Sequence, residues 1–190
     1  MRAQNHLIIF VKEPHPGRVK TRLGAGIGLV ASAWWFRHQS QRLIQRLSRD
    51  PRWRTILAVS PDREGLESRI WPFLVARQPQ GNGDLGARML RALSSSDPGP
   101  VMIVGSDIPD ISLADIAEGF RVLGAHDAVF GPAHDGGYWL IGFRHAPPRD
   151  LFRGVRWSTE HALADTLANL QGRSVGFLRP LNDVDDASDI

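Results

Sequence analysis

The chain has no cysteine among its 190 residues, which excludes disulfides and thiolate metal sites and suits a reducing compartment. Long apolar runs are missing too. The N-terminal "LIIFV" (7–11) stops at Lys12 after five residues, too short for a signal peptide or a membrane span. Neither H-E-x-x-H nor a Ser-His-Asp order occurs, so hydrolase chemistry has no anchor. Internal repeats, low-complexity tracts and linkers are absent as well. Together these point to one soluble, cytoplasmic domain over residues 1–190, long enough to bury a real core.

Lysine is scarce: 21 of the 23 basic residues are arginine, which raises the pI although the net charge is only +3. The charge is unevenly placed. Residues 1–54 hold 11 basic and 2 acidic residues, net +9, whereas the remainder carries net −6. Such a split suits one site that receives a polyphosphate on one side and a metal ion on the other. Two solvated surfaces of opposite sign would give the same count.

Short apolar runs alternate with helical patterns. Residues 7–11, 55–60, 101–106, 127–131, 138–143 and 174–181 read as strands, the first and third apolar enough to be buried on both faces. Helices are predicted over 28–50, with Leu29, Ala33, Phe36, Leu43, Ile44 and Leu47 as the apolar face, and over 83–96, 112–125 and 158–172. Ser112 and Asp115 form a capping box for the third, and Ser158 or Thr159 would cap the fourth. Trp34 and Trp35 read as core and interface packing. The alternation predicts a three-layer α/β/α sandwich with a mainly parallel central sheet. Ligands in such sheets sit beyond the carboxyl ends of the strands.

The unusual residues follow strand ends. "VKEPHPGRVKTRLGAGIG" (11–28) satisfies neither the Walker A loop, which needs Gly before Lys20-Thr21 where Val19 stands, nor a dinucleotide fingerprint. Arg18, Lys20 and Arg22 alternate, so an extended segment would aim three cations at a diphosphate; a solvated basic turn fits equally. Asp107 in "VMIVGSDIPDIS" sits just past a buried strand and suits Mg²⁺ or Mn²⁺. Asp183 and Asp185 could complete that site, or belong to a frayed acidic tail. In "GPAHDGGYWLIG", Gly136 and Gly137 permit a close backbone approach, flanked by Asp135 and Tyr138, although a hairpin turn also wants Gly-Gly. "RQPQGNGDLGARM" (77–89) carries a second Gly-rich turn into a helix. His134 reads as a turn histidine, and His161 with Asp165 as a helix-face pair.

In order, "FVKEPHPGRVKTRL", "QGNGDLGARM", "IVGSDIPDIS", "GPAHDGGYWLIG", "LFRGVRWST" and "NDVDDASD" resemble, over nearly the whole chain, the bacterial GT-A-fold family of nucleotide-diphospho-sugar transferases. Its members are labelled arsenosugar-biosynthesis or radical-SAM-associated glycosyltransferases. The family is also similar to the molybdenum cofactor and phospholactate guanylyltransferases. The resemblance implies that Lys12, Gly17, Arg18, Lys20 and Arg22 surround nucleotide phosphates, with Gln78, Gly83 and Asp84 near the base. It implies a metal on Asp107 with Asp183 or Asp185, and an acceptor beside Asp135, Gly136, Gly137 and Tyr138. Where many such enzymes carry Asp-x-Asp, this chain has Ser106-Asp107 after Gly105.

The expectation is therefore an Mg²⁺- or Mn²⁺-dependent transferase with Asp107, Asp135 and Asp185 in catalytic roles. It would use a nucleotide-sugar donor and a small-molecule acceptor, with no nucleic-acid or membrane partner. Nucleotidyl transfer from an NTP to a phosphorylated small molecule is the alternative. A non-catalytic basic module that binds nucleic acid is the third reading.

Overall fold

A computed structural model describes residues 4–95 and 98–189; Ser96, at the end of the second predicted helix, and the termini lie outside the described residues. In chain order the elements are β1 (His6–Lys12), α1 (Thr21–Ile27), α2 (Leu29–Ser48), β2 (Arg54–Ser60), α3 (Asp62–Glu67), β3 (Ala76–Pro79) and α4 (Leu85–Ser94). They continue with β4 (Val101–Gly105), α5 (Leu113–Leu123), β5 (Ala128–Pro132), β6 (Tyr138–Phe143), α6 (Ala162–Ala168) and β7 (Val175–Phe177).

The strands form a seven-stranded sheet in the order β3-β2-β1-β4-β6-β5-β7. Only β6 runs antiparallel to its neighbours, because β5 and β6 are joined by a tight hairpin. β1 lies inside the sheet beside the central strand β4, and its apolar run is buried on both faces, with Leu7, Ile8 and Ile9 fully inaccessible. Its side chains alternate between two cores. Leu7, Ile9 and Val11 pack with Phe36, Leu43 and Leu47 of α2 and Ile116 of α5. Ile8 packs on the opposite face with Met89 and Leu93 of α4. A sheet buried on both faces by helices is the three-layer sandwich read from the sequence.

Several boundaries differ from the sequence reading, each for a local reason. Leu29 is not part of the α2 core face. It is half exposed and lies over Gly24 of α1, where a Cβ would crowd it. The tryptophan pair does not depart from that reading: Trp35 packs against the core, and Trp34, 62% exposed, tilts onto His38. The fourth predicted helix starts at Ala162, because Thr159 donates to Arg156 O and accepts from His161 N, closing a turn first. His161 and Asp165 lie one turn apart and interact through charge, while the hydrogen bonds to the Asp165 carboxylate come from Arg156. The predicted strand 174–181 is regular only at β7. The short elements α1, α3 and β3 were not legible.

The capping box on α5 forms as expected, and it does more than cap. The Ser112 hydroxyl accepts from Asp115 N, and Asp115 accepts from Ser112 N. The Asp115 carboxylate also takes two hydrogen bonds from the Arg179 guanidinium, at 2.6 and 2.9 Å, which clamps the chain after β7 onto α5. Arg179, helped by Ser112, holds the carboxyl well below its ordinary value, at about 2. A depressed pKa contributes stability that is complete above the unfolded value near 4 and is lost as pH falls through the folded one. With the guanidinium half exposed, screening leaves about 1–2 kcal/mol. Asp115→Asn should therefore unfold at lower denaturant than wild type at pH 7, with the gap closing between pH 4 and pH 2. Urea titrations across that range measure it.

Candidate functional site

The strand order runs outward from β1 to β3 on one side and from β4 to β7 on the other. The sheet therefore has its topological switch between β1 and β4, and a crevice opens beyond their carboxyl ends. The loop after β1 enters that crevice. Buried Glu13 anchors it, accepting from Trp71 Nε1 at 2.6 Å and from the Ser68 hydroxyl at 3.1 Å. Gly17, at φ +76, then turns the chain. Lys20 follows as the N-cap of α1 in a left-handed conformation, φ 44 and ψ 52. A non-glycine residue there costs about 1–2 kcal/mol, and such strain persists where the surroundings enforce it.

Three carboxylates enforce it. Lys20 Nζ lies 2.6 Å from Asp107 Oδ2, 3.2 Å from Asp183 Oδ2 and 3.2 Å from Asp185 Oδ1. Arg22 adds a bond to the other Asp185 oxygen. Burial pulls the Lys20 ammonium down, yet the charge and hydrogen bond of Asp107, with the charges of Asp183 and Asp185, together outweigh it and hold the group above its ordinary range. Asp183 is pushed up, first by burial and then by the neighbouring carboxylates. Asp185 ends low despite burial, because Lys20 stabilises its charge.

A ladder of backbone bonds brings the distant aspartates in. Leu178 N donates to Phe130 O, Leu181 N to Pro132 O and Val184 N to Asp107 O. Asp189 then caps the amides of Asp185 and Asp186. The segment is thus a docked strap, not a frayed tail.

Two lobes share Phe10, Leu85, Asp107, Trp157 and Asp183. The larger, about 670 Å³, gathers Lys12, Arg18, Lys20, Arg22 and Arg88 opposite Asp107, Asp183 and Asp185. Lys12 and Arg18 make no ion pair among the described residues. The smaller, about 280 Å³, is lined mainly by apolar side chains, with Asp135, Gly137 and Tyr138 among its residues.

Not every expected site residue arrives. Gln78 lies outside both lobes, on β3, within 3.4 Å of the Ser95 hydroxyl. Asp84 caps α4 by accepting from Ala87 N, and Gly83, at φ +107, shapes the turn before it. Gly136 and Gly137 do belong to the β5–β6 hairpin. Gly136, at φ +82, packs so closely that a Cβ would overlap the Glu160 backbone. Asp135 accepts from Gly137 N at 2.9 Å. The Tyr138 ring lines the lobe, but its hydroxyl is buried toward Thr166 and burial pushes the phenol up. His134 is exposed and lines neither lobe.

Three contributors were missed. Gln80 is buried, its amide donating to Val11 O and Ala58 O, so its oxygen is left to receive Arg88 Nη1 at 2.8 Å. That holds Arg88 at the larger lobe. Arg88, one turn after Asp84 in a motif already noticed, was findable from helical spacing. Trp157 stands inside "LFRGVRWST" without any spacing signal.

The donors around Lys20 are all carboxylate oxygens, and in charge and ligand type they fit Mg²⁺ or Mn²⁺. Among the described residues, no group of three His, Asp or Glu side chains is arranged as a ready metal site. The Lys20 ammonium occupies the point on which the three carboxylates converge. Lys20→Met should leave Asp107 and Asp183 uncompensated, with Asp185 held by Arg22 alone, and cost about 1–3 kcal/mol, less than a fully buried pair because all three are partly solvated. Thermal unfolding should show the loss, and added Mg²⁺ or Mn²⁺ should restore the variant more than it stabilises wild type.

A comparison with curated proteins finds no significant match. Among solved structures, a Desulfovibrio desulfuricans G20 protein described as a "putative nucleotide-diphospho-sugar transferase" superposes with TM-score 0.88 at 32% identity, covering 97% of this chain and 83% of that one. The 4-diphosphocytidyl-2C-methyl-D-erythritol synthase of Anaerococcus prevotii shares the fold at TM-score 0.62 and 12% identity, over 98% and 94% of the two chains. The Mycobacterium tuberculosis protein Rv0371c, solved in complex with manganese, does so at TM-score 0.51 and 17% identity, over 100% and 96%. The sheet is thus that of the nucleotide-sugar transferases and nucleotidyltransferases. Residues 43–159 match the family described as "Uncharacterized protein conserved in bacteria (DUF2064)", and with a 32% identical relative along nearly its whole length the chain belongs to that family.

Proposed function

We propose that this protein transfers a glycosyl group from a nucleotide-diphospho-sugar to a small-molecule acceptor. The observation that carries the reading is the larger lobe: five cations face three carboxylates at the carboxyl ends of β1 and β4, and three of the cations, Lys12, Arg18 and Arg88, make no ion pair among the described residues. Such a lobe is net positive and receives a diphosphate better than any neutral ligand. The description of the Desulfovibrio desulfuricans protein supports the same class of donor, as does the resemblance to arsenosugar-biosynthesis transferases.

Arg18 and Lys12 would bind the diphosphate, and Arg88, steadied by Gln80, would close on it from α4. Lys20 and Arg22 would share the charge that develops on the departing diphosphate. Asp135 would orient the acceptor hydroxyl. With Lys20 drawn from that point onto the diphosphate, Asp107, Asp183 and Asp185 would be free to hold Mg²⁺ or Mn²⁺, which would supply further neutralisation of the leaving group; the manganese complex of Rv0371c supports that choice.

Nucleotidyl transfer at the α-phosphate of an NTP uses the same lobe, and the fold shared with the Anaerococcus synthase favours keeping it as the second reading. Nucleic-acid binding has little support. Arg52, Arg121, Arg156 and Arg179 are each paired with a nearby carboxylate and form no free stripe.

Incubation with panels of sugar nucleotides and of NTPs separates the readings: free nucleoside diphosphate is the expected product, and pyrophosphate release without sugar transfer would overturn the first. Asp107→Asn should lower turnover on the order of 10²–10³, the scale of losing one charge-stabilising group. By titration calorimetry it should also weaken nucleotide binding in Mg²⁺ far more than in chelator. Equal affinity with and without metal in both proteins would remove the metal from the reading.

A further inference from the structure

The smaller lobe differs in kind from the larger one. Phe10 of β1, Leu85 and Met89 of α4, Ile103 of β4, the Tyr138 ring and Trp157 supply its walls. Among the described residues no Lys, Arg or His lines it, whereas Asp107, Asp135 and Asp183 do. Two of these carboxylates, Asp107 and Asp183, also line the cationic lobe and so mark the junction, where they are tied to Lys20. Asp135 pairs with no cation among the described residues; its Oδ1 receives only the Gly137 amide.

Three properties narrow what can enter. The first is size. At about 280 Å³ the lobe lies at the lower end of small-molecule sites, which run roughly 300–1,000 Å³, so taken by itself it suits one ring or a short branched chain better than a nucleotide. The second is charge. A phosphorylated ligand would meet Asp135, which has no ion pair among the described residues, and two carboxylates whose charge Lys20 already shares, with no lining cation to receive it; like charges brought together oppose binding. The third is polarity. A sugar would bury several hydroxyls against aliphatic and aromatic walls, where each unpaired polar group is costly. Among its lining side chains, Ser158, Thr159, the Trp157 indole N–H and the carboxylates offer partners, too few for a ring of hydroxyls.

We propose that the acceptor, on the transferase reading above, is a neutral, unphosphorylated alcohol whose body is a single apolar ring or a branched alkyl group. Its hydroxyl oxygen attacks the anomeric carbon of the donor and forms the new C–O bond. The bond from that carbon to the diphosphate oxygen breaks, and its electron pair leaves with the nucleoside diphosphate. The hydroxyl proton passes to Asp135, the lining carboxylate without a cation. Leu85 sets the lobe's tolerance, because it lines both lobes from the first turn of α4 and is exposed enough to be exchanged without loss of the core.

Ligand-observed NMR titrations with benzyl alcohol, cyclohexylmethanol, benzyl phosphate and methyl glucoside test this on the whole chain, with and without UDP or GDP. The two apolar alcohols should bind at least about tenfold more tightly than the other two, the scale a mismatched group imposes on a pocket. Their binding should persist with nucleotide present. Leu85→Arg, checked for wild-type folding by circular dichroism, should weaken both alcohols and shift the preference toward benzyl phosphate. Equal or tighter binding of benzyl phosphate or methyl glucoside by wild type overturns the proposal. Competitive displacement of the alcohols by nucleotide also overturns it, since the lobe would then receive the base. Retained preference for the alcohols with no affinity for any nucleotide supports the lobe's chemistry and sinks the transferase reading alone.

Discussion

The site depends on one ammonium group. Lys20 Nζ reaches Asp107, Asp183 and Asp185 at once, so it fastens the loop after β1, the turn after β4 and the C-terminal strap to a single point. Removing any carboxylate loosens the set, but removing the cation leaves three like charges facing one another. The left-handed backbone at Lys20 belongs to the same bargain: local strain of about 1–2 kcal/mol is tolerated because the alternative is an unneutralised carboxylate cluster.

Around that point the crevice divides by chemistry. One side is polar, carrying more cations than carboxylates; the other is apolar and has carboxylates alone. The scaffold supplies both sides with little extra machinery. Buried Glu13 and Gln80, each at the carboxyl end of a strand, use their side chains to fix neighbours in place, Glu13 through Trp71 and Ser68 and Gln80 through Arg88. Both are polar groups placed where the sheet ends and the ligand space begins, and both are satisfied by partners, as burial requires.

The layers of the fold were legible because the strongest signals are periodic. The apolar run of β1 and the 3.6-residue pattern of α2 each specify burial before any tertiary contact is known. The short elements α1, α3 and β3 were not. Their seven, six and four residues are too few for a period to stand out, and neighbouring packing decides them. In the site, Lys20, Asp107, Asp183 and Asp185 were visible as unusual charges at strand ends, but their meeting on the lysine was not, since spacing along the chain carries no distance. The family resemblance points to Gln78, whereas Gln80 is the residue that faces the crevice. Both side chains fall on alternate residues of one strand and its exit, so the sequence alone does not separate a residue that pairs outward with Ser95 from one buried against the strand carbonyls.

The strap has a consequence for the order in which the molecule is built. Lys20 waits for residues 163 and 165 positions further along the chain. During synthesis the lysine and Asp107 are made early and can pair, but the second and third carboxylates emerge only after β7. The crevice therefore closes last, when every strand of the sheet has been laid down and the long loop between residues 20 and 183 has been drawn shut. Contacts of such separation form late and slowly. A chain interrupted before residue 183 can assemble much of its hydrophobic core and still lack a finished site.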